Sequence, residues 1–114
     1  MVIKWKRLLY AVVLAITAPS SSLRASDYEA IAEICRASRE TCLLYFIGLT
    51  NGLMVTSWFA EDNNLPSPFC IPYEVNANAL ANVVIQYIDS HPENWHMGTA
   101  NMGYRALYAA YPCR

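Results

Sequence analysis

Four cysteines, two histidines and a handful of acids are the residues of this 114-residue chain with chemistry to offer. Cys35, Cys42, Cys70 and Cys113 form an even set, and disulfides form and persist in small exported chains. Zinc is the competing chemistry, but no CxxC pair and no Cys/His pair has the usual ligand spacing. A cysteine nucleophile would require one thiol left reduced, against the even count. His91, Glu93 and His96 cluster with Asp89 nearby. On a helix, positions i and i+5 point to different sides, so this is not the i, i+4 histidine pair of a zinc protease. Histidines beside a proline turn read as capping or surface groups. Ser20–Ser22 fall in a segment expected to be removed. No glycine-rich phosphate loop is present, because all four glycines fall inside expected helices. No catalytic constellation emerges, and no cofactor or metal site is expected.

The charge balance narrows the partners. Lys4, Lys6, Arg7 and Arg24 hold half of the basic residues. From Ser26 onward four arginines face nine acids, a net −5 with no lysine. Nucleic-acid binding needs a basic stripe, and none exists here.

Residues 1–25 read as a secretory signal. Lys4, Lys6 and Arg7 make the basic start, Leu8 to Ile16 the apolar stretch, and Pro19 with the serine run ends any helix before Ala25. Leu23 fits a cleavage site imperfectly, so cleavage after Ser22 is the alternative. An uncleaved membrane anchor is the rival, yet nine apolar residues fall well short of the ~20 that span a bilayer. The expected product is a single domain over residues 26–114, without stable membrane insertion. At that size a core alone is marginal, and two bridges at ~2–4 kcal/mol each would matter.

About four helices must position these groups. Ser26-Asp27-Tyr28-Glu29 has the form of a capping box, followed by Tyr28, Ile31 and Cys35 at helical spacing. Cys42 to Phe59 is apolar nearly all round. Asn51-Gly52 suggests a hairpin there, but the flanking runs do not alternate. A membrane span would split the cysteines between two compartments. The favoured reading is a buried central helix, with Gly48 and Gly52 as a flat strip for a close neighbour. Glu61 to Pro72, with three prolines, reads as a loop. Asn76 caps a third helix carrying Leu80, Val84, Tyr87 and Ile88 on one face. His91-Pro92 makes the next turn. The last helix sets Met97, Ala100, Tyr104, Leu107, Tyr108 and Tyr111 on one stripe. The fold class is all-α, a compact bundle stapled by two disulfides. An up-down arrangement brings Cys35 to Cys42 and Cys70 to Cys113. Cys35–Cys113 with Cys42–Cys70 is the other pairing, and it would follow if the first helix ran unbroken through Cys42.

A binding protein remains. Glu61, Asp62, Asn63 and Asn64, with Trp58 and Trp95 near helix ends, are the candidate contact residues. The plainer alternative is that the acids confer solubility and the tryptophans fill the core.

From Cys35 to Cys113 the chain resembles the Tai-type immunity family, whose founding members protect bacteria from peptidoglycan amidases delivered by type VI secretion. The resembling elements are Cys42-Leu-Leu-Tyr45-Phe-Ile-Gly48, Cys70-Ile71-Pro72, Tyr87 with His91-Pro92-Glu93, His96, and Ala106-Leu107 leading to Tyr111-Pro112-Cys113. Asn76 stands where threonine is common and Tyr111 where phenylalanine is usual. The Gly52–Cys70 stretch is longer than in many relatives. The resemblance implies an all-α fold, a helix over Cys42–Phe59, periplasmic residence, homodimers and no catalysis. It also implies a secreted amidase effector as partner, inhibited by occlusion of its cleft. It transfers no binding residue. A small periplasmic chaperone or envelope-stress protein is the alternative function.

Overall fold

The computed structural model describes residues 27–114. The expected signal segment, residues 1–25, and Ser26, the expected cap of the first helix, lie outside them. Four α-helices follow: α1 Asp27–Ala37, α2 Arg39–Asp62, α3 Ala77–Ser90 and α4 Thr99–Ala110, with a 3-10 helix over Pro92–Met97 before α4. No strand occurs among the described residues. The Asn51-Gly52 pair lies within α2 and makes no turn.

The helix boundaries have local causes. Ser38 interrupts α1 and α2 with an extended backbone, φ −154° and ψ 116°, and its hydroxyl accepts from the Thr41 amide at 3.2 Å. That break folds Cys35 back on Cys42, with Cα atoms 4.5 Å apart, whereas seven residues of unbroken helix would separate them by ~10 Å. Asn76 caps α3 as expected, its side-chain oxygen accepting from the Ala79 amide at 2.9 Å. The second bridge joins Cys70 to Cys113, so both pairings follow the up-down arrangement.

The core lies where α3 packs between α2 and α4. Phe46 from α2, Leu80, Val84 and Ile88 from α3, and Met102 and Leu107 from α4 meet there. Phe69, from the loop between α2 and α3, is 1% exposed and plugs the same core. Tyr28, Ile31 and Cys35 of α1 pack against it half-buried.

Three expectations are corrected. The central helix is longer than Cys42–Phe59 and is not buried all round: only Cys42, Phe46, Thr50 and Ala60 are buried, while Leu44, Val55, Trp58 and Phe59 stand in solvent. Gly48 and Gly52 do not meet a neighbour, since a Cβ at either would find nothing within 4 Å. The close contact uses Gly103 of α4 instead, where a Cβ would come within 3.1 Å of Leu53 and 3.2 Å of Leu49. The last helix begins only at Thr99, because Gly98 takes φ +84°, which an L side chain rarely adopts. Its buried side is Thr99, Met102, Gly103, Ala106 and Leu107, so Leu107 of the expected stripe is buried while the tyrosines are not. The small residues let α4 approach α2 closely, and Tyr104 and Tyr108 lie on its exposed side.

Candidate interaction surface

The contact candidates separate into two ends of the bundle. At one end, α2 runs through Glu61 and Asp62, so these acids belong to its last turn rather than to a loop. Termination falls to the two asparagines. The Leu65 amide donates to the Ala60 carbonyl at 2.8 Å and the Asn64 amide to Glu61 at 3.2 Å, the double closure of a Schellman motif. Asn64 takes the left-handed turn that motif requires, with φ +53°. The Asn63 side-chain amide donates to the Phe59 carbonyl at 2.8 Å. Both asparagines therefore hold the helix end in place. Glu61 and Asp62 are left exposed at the negative pole of the helix, in a last turn with no basic residue. A helix C-terminus disfavours carboxylates by a few tenths to 1 kcal/mol each, so this end concentrates negative potential.

Trp58 stands beside the acids, 56% exposed. It borders a cleft of about 170 Å³ walled by Met54, Ser57, Glu61, Phe69 and Ile71. The loop wall is fixed rather than loose. The Phe69 carbonyl accepts from Ser67 at 2.8 Å and Ser57 at 3.3 Å, its ring meets Tyr104 edge-on, and the Cys70 amide donates to Tyr111 at 2.8 Å. The Cys70–Cys113 bridge closes the same corner. Phe69 was missed in the sequence, where three prolines mask it; a lone aromatic beside a bridging cysteine was the available signal.

Trp95 belongs to the other end. Its indole nitrogen donates to the Ile88 carbonyl at 2.8 Å, and its ring stacks on Tyr28 at 4.4 Å. There it pins α1 and the 3-10 helix to the C-terminus of α3, and the fold does not bring it near Trp58. An apolar cleft of about 130 Å³ opens at this end between α1 and the α2–α3 pair, with Tyr28, Ile31, Phe46, Ile85 and Asp89 in its walls. Burial first, and the Asp89 carboxylate second, hold the Tyr28 phenol above its ordinary pKa.

His91 stacks on Tyr87 at 4.0 Å, and its Nδ1 donates to the Tyr87 carbonyl at 2.7 Å, a capping role. His96 is exposed. No group of three His, Cys, Asp or Glu side chains comes together as a metal site among the described residues. A long-range polar chain ties the ends of the fold together. Tyr45 donates to the Thr99 hydroxyl at 2.8 Å, which donates to Asp27 at 2.9 Å, while the Thr99 amide donates to the same carboxylate at 3.0 Å. Asp27 thus caps α4 from across the fold.

The fold defines a helical protein stapled by two disulfides, with an exposed tryptophan and two exposed acids at the end of α2. Residues 27–113 match the model of the Rap1a immunity proteins, and the chain belongs to that family. No curated protein and no solved structure matches the chain. Membership makes it an immunity protein against a secreted toxin, with a cognate effector protein as its partner.

Proposed function

We propose that the chain acts in the periplasm as a non-catalytic inhibitor of a peptidoglycan amidase delivered by type VI secretion, which it binds so as to occlude the cleft. The family match over residues 27–113 carries the immunity reading. The resemblance of Cys42–Gly48, Cys70–Pro72 and Tyr111–Cys113 to the Tai-type pattern supports the amidase as target. Two formed disulfides suit an oxidising compartment, and the basic, apolar start of residues 1–25 suits export to it.

The contact end is the C-terminus of α2. Trp58 supplies a large amphipathic anchor, and Glu61 and Asp62 supply charge that its own helix does not balance. Such an end fits a basic side chain of the effector seated against the indole, with a carboxylate beside it. A net −5 over residues 26–114 would hasten encounter with a basic partner and make the association rate fall with salt. Asn63 and Asn64 shape this end, and Trp95 would contribute only if the effector reached the far side of the bundle.

Co-expression tests the reading. Cells exporting a candidate type VI amidase to the periplasm should grow when the full chain is expressed with it and lyse when it is not. No rescue, together with no binding to that amidase, defeats the proposal. Protection of many unfolded proteins at low pH would favour the envelope chaperone instead.

A further inference from the structure

A hollow lies under α1. The helix buries none of its residues fully, yet it is tied down at both ends. The Cys35–Cys42 bridge holds its C-terminal end. Asp27 on Thr99 and Tyr28 stacked on Trp95 hold its N-terminal end. Between these ties opens the apolar cleft of about 130 Å³, with walls from three helices: Ile31 and Ala32 of α1, Phe46 of α2, Ile85 and Ile88 of α3. Protein interiors leave few voids larger than a water molecule, so an apolar gap between fixed walls is a place for a ligand.

We propose that this cleft binds a small organic ammonium, an apolar body of about six carbon atoms among Ile31, Phe46 and Ile85 with its charged nitrogen at the Asp89 carboxylate. Volume sets the body. Apolar cavities of about 150 Å³ take one benzene ring, and this cleft is of that order. Charge sets the head group. Among the described residues Asp89 is the one carboxylate in the wall, and it is exposed, so a cation at the mouth meets it without giving up all its water. Burial, and then this carboxylate, hold the Tyr28 phenol above its ordinary pKa, so the field of Asp89 reaches the cleft wall.

The surrounding charge agrees. α1 carries Asp27, Glu29 and Glu33 against the single base Arg36, and the 3-10 helix adds Glu93. Arg36 also acts on Tyr28, with the opposite sign and less than Asp89. A carboxylate ligand would be repelled, and a neutral ring would gain the apolar walls but not the charge. A lysine or arginine side chain of a protein suits the cleft less well, because its charged tip would lie deepest and away from the exposed Asp89. Cys42, in the cleft wall, and Trp58 are 16 residues apart on α2, roughly 24 Å along the helix. Occupancy of the cleft therefore does not depend on the effector.

Benzylammonium chloride is the probe, titrated at constant ionic strength into oxidised protein purified from cells expressing the full chain, with binding read from amide NMR shifts. Saturable shifts should gather at Ala32, Phe46 and Ile85. Benzyl alcohol should bind about threefold more weakly, the ratio a solvent-exposed ion pair supports, and benzoate should not bind. Asp89→Asn should remove the preference for the ammonium. Ala32→Leu, which fills the cleft, should abolish binding of both ligands, and Trp58→Ala should leave it unchanged. Asp89 lies on the surface, so its variant decides the matter even if Ala32→Leu fails to fold. No saturable shift at these positions would overturn the proposal. So would equal affinity for the alcohol and the ammonium, or undiminished ammonium binding by Asp89→Asn. Shifts of equal size at Glu61 and Asp62 would mark an adventitious additive only and overturn it as well.

Discussion

Asp27 is the residue whose importance is hardest to read locally. It opens α1, yet its carboxylate holds the amide and hydroxyl of Thr99, 72 residues away. Asp27→Ala should cost about 1–2 kcal/mol, the upper range for a lost helix cap, and Thr99→Val should cost less in the Asp27→Ala background than alone, keeping only the loss of the Tyr45 bond. Urea melts of the two single variants and the double variant measure the coupling. Gly98→Ala should destabilise as well, because φ +84° strains any Cβ and that atom would lie 3.1 Å from the Asp27 carboxylate. Tyr28 carries a pH signature. Its pKa is raised in the fold, so between the ordinary tyrosine value and the raised one the unfolded chain has lost a proton that the folded chain keeps. Stability is therefore full below the ordinary value near 10 and falls as pH rises through it, and Tyr28→Phe should flatten that slope in alkaline melts. The four cysteines, Asn76 and the His91-Pro92 turn were legible because each acts on near neighbours or on an obvious partner. Asp27 and Gly98 were not, since nothing local announces a contact made across the whole chain.

Helices were legible in number and order, less so in facing. Periodicity placed Leu80, Val84 and Ile88 correctly on the buried side of α3, where large residues face the core and polar ones do not. It failed on α2 and α4 for one reason. When apolar side chains surround a helix, the pattern no longer says which side is inside, and small residues decide the approach. Gly103 made that approach, and Gly48 and Gly52 did not. Gly103→Val should therefore cost about 1–3 kcal/mol by crowding Leu49 and Leu53. Gly48→Ala should instead raise stability by up to ~1 kcal/mol, because the helix gains a better former and nothing is displaced. The bridges differ by the chain they close. Cys70–Cys113 spans 43 residues and Cys35–Cys42 spans 7. Loop-closure entropy assigns them about 4 and about 2 kcal/mol, so the Cys70→Ser/Cys113→Ser double variant should melt well below the Cys35→Ser/Cys42→Ser one. It should also loosen the Phe69 corner that walls the Trp58 cleft.

At the scale of the whole molecule, the proposed contact surface lies at one end of the bundle. α2 delivers Trp58, Glu61 and Asp62 together, a Schellman turn fixes their direction, and the second bridge secures the wall beside them. The sequence already showed the acids and the tryptophan as neighbours. It placed the acids in a loop, because Glu61-Asp62-Asn63-Asn64 has the composition of one, and it grouped Trp95 with them because distance through the fold is not written in the chain. Inhibition of the purified amidase by the purified protein, titrated on peptidoglycan, tests the account most directly. The unvaried protein should abolish cleavage at stoichiometric amounts. Trp58→Ala and Glu61→Lys should each weaken inhibition at least tenfold without lowering the melting temperature, and added salt should slow the unvaried protein's association. Undiminished cleavage in excess protein, or full inhibition by both variants, would contradict it.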